Sequence, residues 1–151
     1  MSDPTMSQAQ CDPELTADEK AYAGLSHALM LSTWWIAPLI IYFMKKESRF
    51  VRFHAMQALL WQIVFSVLYF IAMAVFFAVV ISSTLSNQGK PPDPSHFPVA
   101  IFVAMPFIWL LAMGGFAISL TLAILFSLKA MRGQWAEYPV IGKWAMRIVG
   151  S

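Results

Sequence analysis

The stretch RFVRFHAMQALLWQ at residues 49–62 holds polar side chains at helical spacing in an otherwise apolar part of the chain. On a helix, Phe50, His54, Gln57 and Trp61 share one face because they are four, three and four residues apart. Since polar groups are costly to bury against lipid, we expect this face to contact protein near the cytoplasmic surface. It forms either a polar contact site for another molecule or a set of local hydrogen bonds, and we favour the second.

Two arginines lie on the other side of the same predicted helix, where they can extend to lipid headgroups or to acidic groups of a partner. The stretch is therefore predicted to be the amphipathic start of a membrane helix and not a loop. The candidate interaction face comprises Arg49, Arg52, Phe53, His54, Met56, Gln57 and Trp61.

The three histidines are the remaining candidates for acid–base or metal chemistry. We place His27 near the outer end of a first membrane span, His54 near the inner end of a second, and His96 in an outer loop. Leaflets about 30 Å apart cannot share a ligand sphere. His27 is either a proton-sensitive group or, as we favour, a hydrogen-bond partner of a neighbouring helix. With one cysteine and no acid in the apolar runs, the sequence predicts a protein that is not an enzyme and binds no cofactor.

Composition indicates an integral membrane protein. Hydrophobic residues make up 59% of the chain and charged residues 12%, whereas a soluble domain has about 45–50% and about 25%. The net charge of +2 is too small to indicate a nucleic-acid partner. The N-terminus has no recognisable targeting segment, so we expect the inner membrane of a bacterium or archaeon.

Three apolar blocks predict an all-α bundle of three transmembrane helices, at about 22–44, 58–83 and 103–128. Four crossings are the alternative. The uncharged run 97–128 is either one crossing, as we favour, or an interfacial entry followed by a crossing.

Polar segments flank this predicted bundle. Residues 1–19 are interpreted as a flexible acidic tail and residues 20–149 as a single transmembrane domain. Thr16 followed by Glu19 predicts a capping box at the start of the first helix. From Val140 onward, cations, tryptophan and aliphatic residues recur at helical spacing, which predicts a short amphipathic helix at the membrane interface.

Basic residues cluster in two places and set the expected orientation. One cluster follows the first predicted span and the other follows the third. By the positive-inside rule, the first loop and the C-terminus are cytoplasmic, while the N-terminus and the proline-rich second loop lie outside. The clusters are Lys45, Lys46, Arg49 and Arg52, and Lys129, Arg132, Lys143 and Arg147.

Small residues recur every four positions on two predicted spans. This spacing lets helix backbones approach closely in a membrane. We expect the second helix to pack on the third through these stripes, with dimerisation through one stripe as the alternative. The helix-packing residues are Ala74, Ala78 and Ser82, and Gly115, Ser119 and Ala123.

The start of the second predicted span resembles a signature of the Tic-twenty-like family, which comprises the chloroplast inner-envelope translocon component and its bacterial relatives. It is also similar to small bacterial membrane proteins of unknown function. The matching stretch is FVRFHAMQALLWQI at residues 50–63, and the family's proline-isoleucine-glycine turn is similar to YPVIGKWA at residues 138–145. The resemblance covers about residues 22–148 and implies a role in membrane protein translocation or assembly. It carries over Arg52, Phe53, Met56, Gln57 and Ala58, with His54 in place of a common asparagine.

Taken together, the residues predict a small non-enzymatic membrane protein that is a subunit or assembly factor of a larger membrane complex. Its expected partners are the lipid bilayer and either another membrane protein or further copies of itself. The alternative is a transport or channel subunit that acts as an oligomer. The apolar character of the second span from Val67 to Ile81, apart from Tyr69, argues against a pore formed by one chain.

Overall fold

A computed structural model describes residues 14–89, 99–139 and 141–150 of the protein. These ranges form five helices and no strand, so the predicted all-α class is confirmed. Most of the predicted acidic tail, and His96, lie outside the described residues. The helices are α1 (Ala17–Thr33), α2 (Ile36–Met44), α3 (Arg49–Ser86), α4 (Val99–Met131) and α5 (Ile141–Gly150).

The predicted capping box at the start of α1 is confirmed. The backbone N–H of Glu19 donates to the Thr16 hydroxyl at 3.2 Å, and the backbone N–H of Thr16 donates to the Glu19 carboxylate at 2.9 Å. Hydrogen bonds from Ser48 and Thr16 lower the pKa of the Glu19 carboxyl, so this group stays ionised at the positive end of the helix dipole.

Two helices, and not three, are long and apolar enough to cross a membrane within the described ranges. They are Arg49–Ser86 and Phe102–Met131, with 38 and 30 residues. At 1.5 Å per residue, α3 is about 57 Å long, so it extends well beyond a hydrocarbon core of about 30 Å. The predicted spans 58–83 and 103–128 fall inside α3 and α4.

The third predicted span, 22–44, is wrong because the chain reverses in its middle. Helix α1 ends at Thr33, and Trp34 has a φ of 59°, a backbone conformation that non-glycine residues rarely adopt. Helix α2 then has nine residues, about 14 Å, and is too short to cross a bilayer. Pro38 lies in the first turn of α2, where proline is tolerated, so it marks a new helix and not a kink in one long helix.

The two short helices form an antiparallel hairpin. The Lys45 ammonium lies 4.4 Å from the centre of the Tyr22 ring, and Ser48 hydrogen-bonds Glu19. The end of α2 therefore returns to the start of α1. The uncharged sequence hides this reversal, because neither a charge nor a glycine marks the turn at Trp34.

The chain divides into two compact units. The first contains Met1–Ile63 and Ile118–Ser151, and the second contains Val64–Ala117. In the first unit, buried side chains from α1, α2, the start of α3, the end of α4 and α5 form the core. In the second unit most large apolar side chains are exposed, as expected for helices that face lipid.

Candidate functional site

Two histidines and a tyrosine meet in the core of the first unit. His27 Nε2 lies 3.0 Å from His54 Nδ1, and the Tyr138 hydroxyl lies 2.9 Å from His27 Nδ1. The other ring nitrogen of His54, Nε2, lies 3.2 Å from the backbone oxygen of Gln134. All three side chains are buried. We call His27, His54, Gln57, Tyr138 and the Gln134 carbonyl the histidine cluster.

The end of α4 positions the backbone part of the cluster. Gly133 has a φ of 74°, and its N–H donates to the Ala130 oxygen at 2.9 Å. The N–H of Gln134 donates to the Lys129 oxygen at 3.0 Å. These two bonds form a Schellman motif, which ends the helix and leads the chain into the segment 134–139. The Gln134 carbonyl and Tyr138 are thereby placed against α1 and α3.

The side-chain hydrogen bonds of the two histidines all donate in the same direction, from the Tyr138 hydroxyl through His27 and His54 to the Gln134 carbonyl. The Gln134 carbonyl can only accept, so His54 carries its proton on Nε2 and, in the neutral ring, accepts on Nδ1. His27 therefore donates from Nε2 to His54. The free lone pair on His27 Nδ1 then accepts from the Tyr138 hydroxyl. These tautomers follow from the hydrogen-bond partners alone.

Gln57 ties the same segment to α3 through both atoms of its side-chain amide. Its Nε2 donates to the Ala136 oxygen at 3.1 Å, and its Oε1 accepts the backbone N–H of Tyr138. Gln57 is fully buried, and its two partners have no other described hydrogen bond in this segment. Gln57 therefore satisfies two buried backbone groups of the segment 134–139.

Burial keeps the outer members of the cluster neutral. It lowers the pKa of His27 well below its ordinary value, and the neighbouring His54 adds to this effect. Burial likewise raises the pKa of the Tyr138 hydroxyl. A neutral imidazole and a neutral phenol are the forms that the hydrogen-bond directions require.

Aromatic rings seal the cluster. Phe50 packs edge-on against His54 with ring centres 4.6 Å apart, and Phe126 packs edge-on against Tyr138 at 4.3 Å. Further along α3, the Trp61 indole donates to the Ser119 hydroxyl at 2.8 Å, and the Gln62 side chain donates to the backbone oxygen of Met30 at 2.9 Å. The cluster is thus a closed polar network in an apolar surrounding.

The hydrogen bonds of the histidine cluster tie α1, α3 and the segment 134–139 together. The series of bonds starts at a phenol and ends at a backbone carbonyl, which does not pass a proton on. Within the described ranges, no group of three or more histidine, cysteine, aspartate or glutamate side chains is placed to hold a metal ion. Each polar atom of the two imidazoles already has a protein partner.

The expectation that His27 and His54 lie in opposite leaflets is wrong. The α1–α2 hairpin returns to its starting end, which keeps His27 within the first unit beside the start of α3. The sequence reasoning also missed Tyr138 and Gln134. Tyr138 opens the YPVIGKWA stretch, but nothing in that stretch indicates that its hydroxyl pairs with a histidine 111 positions earlier.

Some residues of the predicted interaction face are buried in the structure and others are exposed. Phe53, His54, Met56 and Gln57 are buried, and Trp61 is half-buried. Arg49 is exposed, while Arg52 donates to the Tyr42 hydroxyl at 2.9 Å. Most of this face therefore packs inside the protein, and Arg49 remains available at the surface.

The predicted helix-packing residues also differ in burial, with the α4 stripe partly buried and the α3 stripe exposed. Ser119 and Ala123 are buried in the first unit, and a side chain at Gly115 would collide with the Phe65 ring in the second. The stripe on α3, which consists of Ala74, Ala78 and Ser82, is exposed. The α3 stripe is therefore not part of the buried core in the described residues, and its contact with the second stripe stays a prediction.

The model of the magnetosome magnetite crystal formation protein family, MamF/MmsF, matches residues 18–145. This range includes every side chain of the histidine cluster. The chain belongs to this family. Two helices that are apolar enough to span a bilayer agree with a membrane protein of the MamF/MmsF family. Comparison with curated proteins and with solved structures gives no match.

Membership in the MamF/MmsF family corrects the resemblance to the Tic-twenty-like family, which is wrong, and removes the support for a role in translocation. The signature behind that resemblance runs from Arg52 to Ala58 and supplies His54 and Gln57 to the histidine cluster. A short match at these positions reflects how α3 begins and packs. It does not identify what the protein acts on.

Proposed function

We propose that this MamF/MmsF protein takes part in magnetite crystal formation as a non-enzymatic component of a bacterial magnetosome membrane. The observation that carries the proposal is the family match over residues 18–145, which extends from α1 into α5. The protein acts as a subunit or assembly factor, with the bilayer and either another membrane protein or a second copy as partners.

The structure supports a scaffolding role through the histidine cluster. Its polar groups are buried and satisfied, so the cluster stabilises the first unit and offers no open site to a substrate. A buried network of this kind fixes the relative positions of α1, α3 and the segment 134–139. The exposed surfaces, and not the interior, are then the parts that contact partners.

The helix arrangement supports a revised orientation. An α1–α2 hairpin followed by two spanning helices leaves both ends of the chain on one side of the membrane. The basic residues at the end of α2, the start of α3, the end of α4 and in α5 all belong to the first unit. By the positive-inside rule, this unit faces the cytoplasm, and the N-terminus does so too.

The proposal is tested by deleting the gene in a magnetite-forming bacterium and restoring it with variants. We expect deletion to reduce the size or number of crystals seen by electron microscopy, and wild type to restore them. Gln57→Leu should fail to restore crystals, whereas Gln88→Leu, the same change at an exposed position, should succeed. Normal crystals in the deletion strain would refute the proposed function.

A further inference from the structure

We propose that a cleft formed by α5 and Glu137, beside the start of α3, binds the phosphate headgroup of an anionic membrane lipid. The cleft has a volume of about 620 Å³ and is open to the surface. Its lining residues are Glu137, Lys143, Met146, Arg147 and Gly150. This site goes beyond the proposed function, because it does not depend on magnetite chemistry.

Helix α5 presents its cations to the cleft because its other face is fixed to the protein. Ile141, Ala145 and Val149 are buried, and the last two pack in a cluster with Phe53. This anchoring leaves the opposite face exposed. Lys143 and Arg147, four residues apart, are therefore neighbours on the exposed surface.

A third cation comes from α3. Arg49 Nη2 lies 3.9 Å from the Met146 sulfur, and only 3.1 Å from the position that a Cβ on Gly150 would occupy. The absence of a side chain at Gly150 thus lets the guanidinium approach two residues that line the cleft. Arginine offers several N–H donors in a fixed planar array, which suits the oxygens of a phosphate.

The three cations are available to an anion. None of Arg49, Lys143 and Arg147 makes an ion pair in the part of the chain that the structure describes. Glu137 is the one carboxylate among the residues that line the cleft. The positive charge at this surface therefore exceeds the negative charge, and it is not used for internal stability.

An apolar strip beside the cations selects a lipid over a free phosphate. Trp144 and Ile148 are 50% and 43% exposed, and they lie next to Lys143 and Arg147 around the helix. Indole rings favour the headgroup level of a membrane, and an amphipathic helix with this division lies in the interface. A small free anion would gain nothing from these two side chains.

The test uses the full-length protein in mild detergent and native mass spectrometry with added phosphatidylglycerol or phosphatidylcholine. Removing one cation should weaken phosphatidylglycerol binding about five-fold, and Lys143→Gln combined with Arg147→Gln about 25-fold. Lys46→Gln removes an exposed cation that does not line the cleft, so it should leave the affinity within about two-fold of wild type. Unchanged melting temperatures would show that all variants fold.

Further measurements test the effect of the Glu137 carboxylate on binding and whether the ligand is a lipid or a free phosphate. Glu137→Gln removes the carboxylate and should strengthen phosphatidylglycerol binding. Inorganic phosphate at the same concentration should not compete, and Trp144→Gln should weaken lipid binding. Equal affinities for the double variant and Lys46→Gln, equal binding of phosphatidylcholine, or effective competition by inorganic phosphate would each overturn the assignment.

Discussion

Replacing Gln57 by leucine isolates the contribution of one side chain to the fold of the first unit. Leucine has nearly the same size, so the change removes two hydrogen bonds and creates little empty space. The backbone N–H of Tyr138 and the backbone oxygen of Ala136 lose their partner in the interior. Both groups then carry the cost of burial without compensation.

The size of the effect follows from these two unpaired groups. A buried polar group without a partner costs about 1–3 kcal/mol, so Gln57→Leu should lower the free energy of unfolding by about 2–6 kcal/mol. A domain is typically stable by about 5–15 kcal/mol. For a chain of this length, the loss corresponds to a melting temperature lower by roughly 4–24 °C.

The assay compares Gln57→Leu with Gln88→Leu in the same detergent. Gln88 is exposed, so its replacement should change stability by no more than about 0.5 kcal/mol. Amide hydrogen exchange adds a local readout, because the Tyr138 amide should exchange faster only in Gln57→Leu. Equal melting temperatures for the two variants, with the Tyr138 amide still protected, would refute the role assigned to Gln57.

Four further expectations follow from the same structure. Because burial lowers the pKa of His27, the unfolded chain binds a proton that the folded chain does not. Stability should therefore fall as the pH drops below about 6.5, by at most about 1.4 kcal/mol per pH unit from this residue, and a melting temperature that is constant from pH 7.5 to 5 would contradict this. Because burial raises the pKa of Tyr138, Tyr138→Phe should leave the phenolate absorbance unchanged near pH 10, and a loss of absorbance there would contradict this. Ala123→Leu should lower stability by about 1–3 kcal/mol through overpacking, whereas a comparable loss for the exposed Ala78→Leu would indicate that this stripe packs against another copy. Cys11, the only cysteine, should resist a membrane-impermeant thiol reagent in intact cells and react after lysis, and labelling before lysis would reverse the proposed orientation.

The helical class and the start of α1 could be predicted because they depend on local signals. Uncharged runs of spanning length indicate membrane helices, and Thr16 with Glu19 caps a helix whatever lies around it. The spacing of His54 and Gln57 also places them on one face of α3, since any helix has that periodicity. The structure finds both side chains buried.

The reversal at Trp34 and the partners of His27 could not be predicted, because both depend on tertiary packing. A positive φ at a tryptophan is rare, and no residue type in the sequence around Trp34 indicates it. Once the reversal is missed, His27 is assigned to the wrong end of a span. His27 contacts His54, which is 27 positions away, and Tyr138, which is 111 positions away. A single sequence does not indicate which distant residues will meet in the fold.

The histidine cluster also imposes an order on biosynthesis. The Gln134 carbonyl and the Tyr138 amide follow His54 and Gln57 by 80 and 81 positions in the chain. A ribosome adds about 5–20 residues per second, so these two side chains wait roughly 4–16 s for their partners. During that interval α3 presents unpaired polar groups to the nascent surroundings. A chain that terminates before residue 134 never supplies these partners, so the first unit can form its full set of buried hydrogen bonds only after synthesis has passed Tyr138.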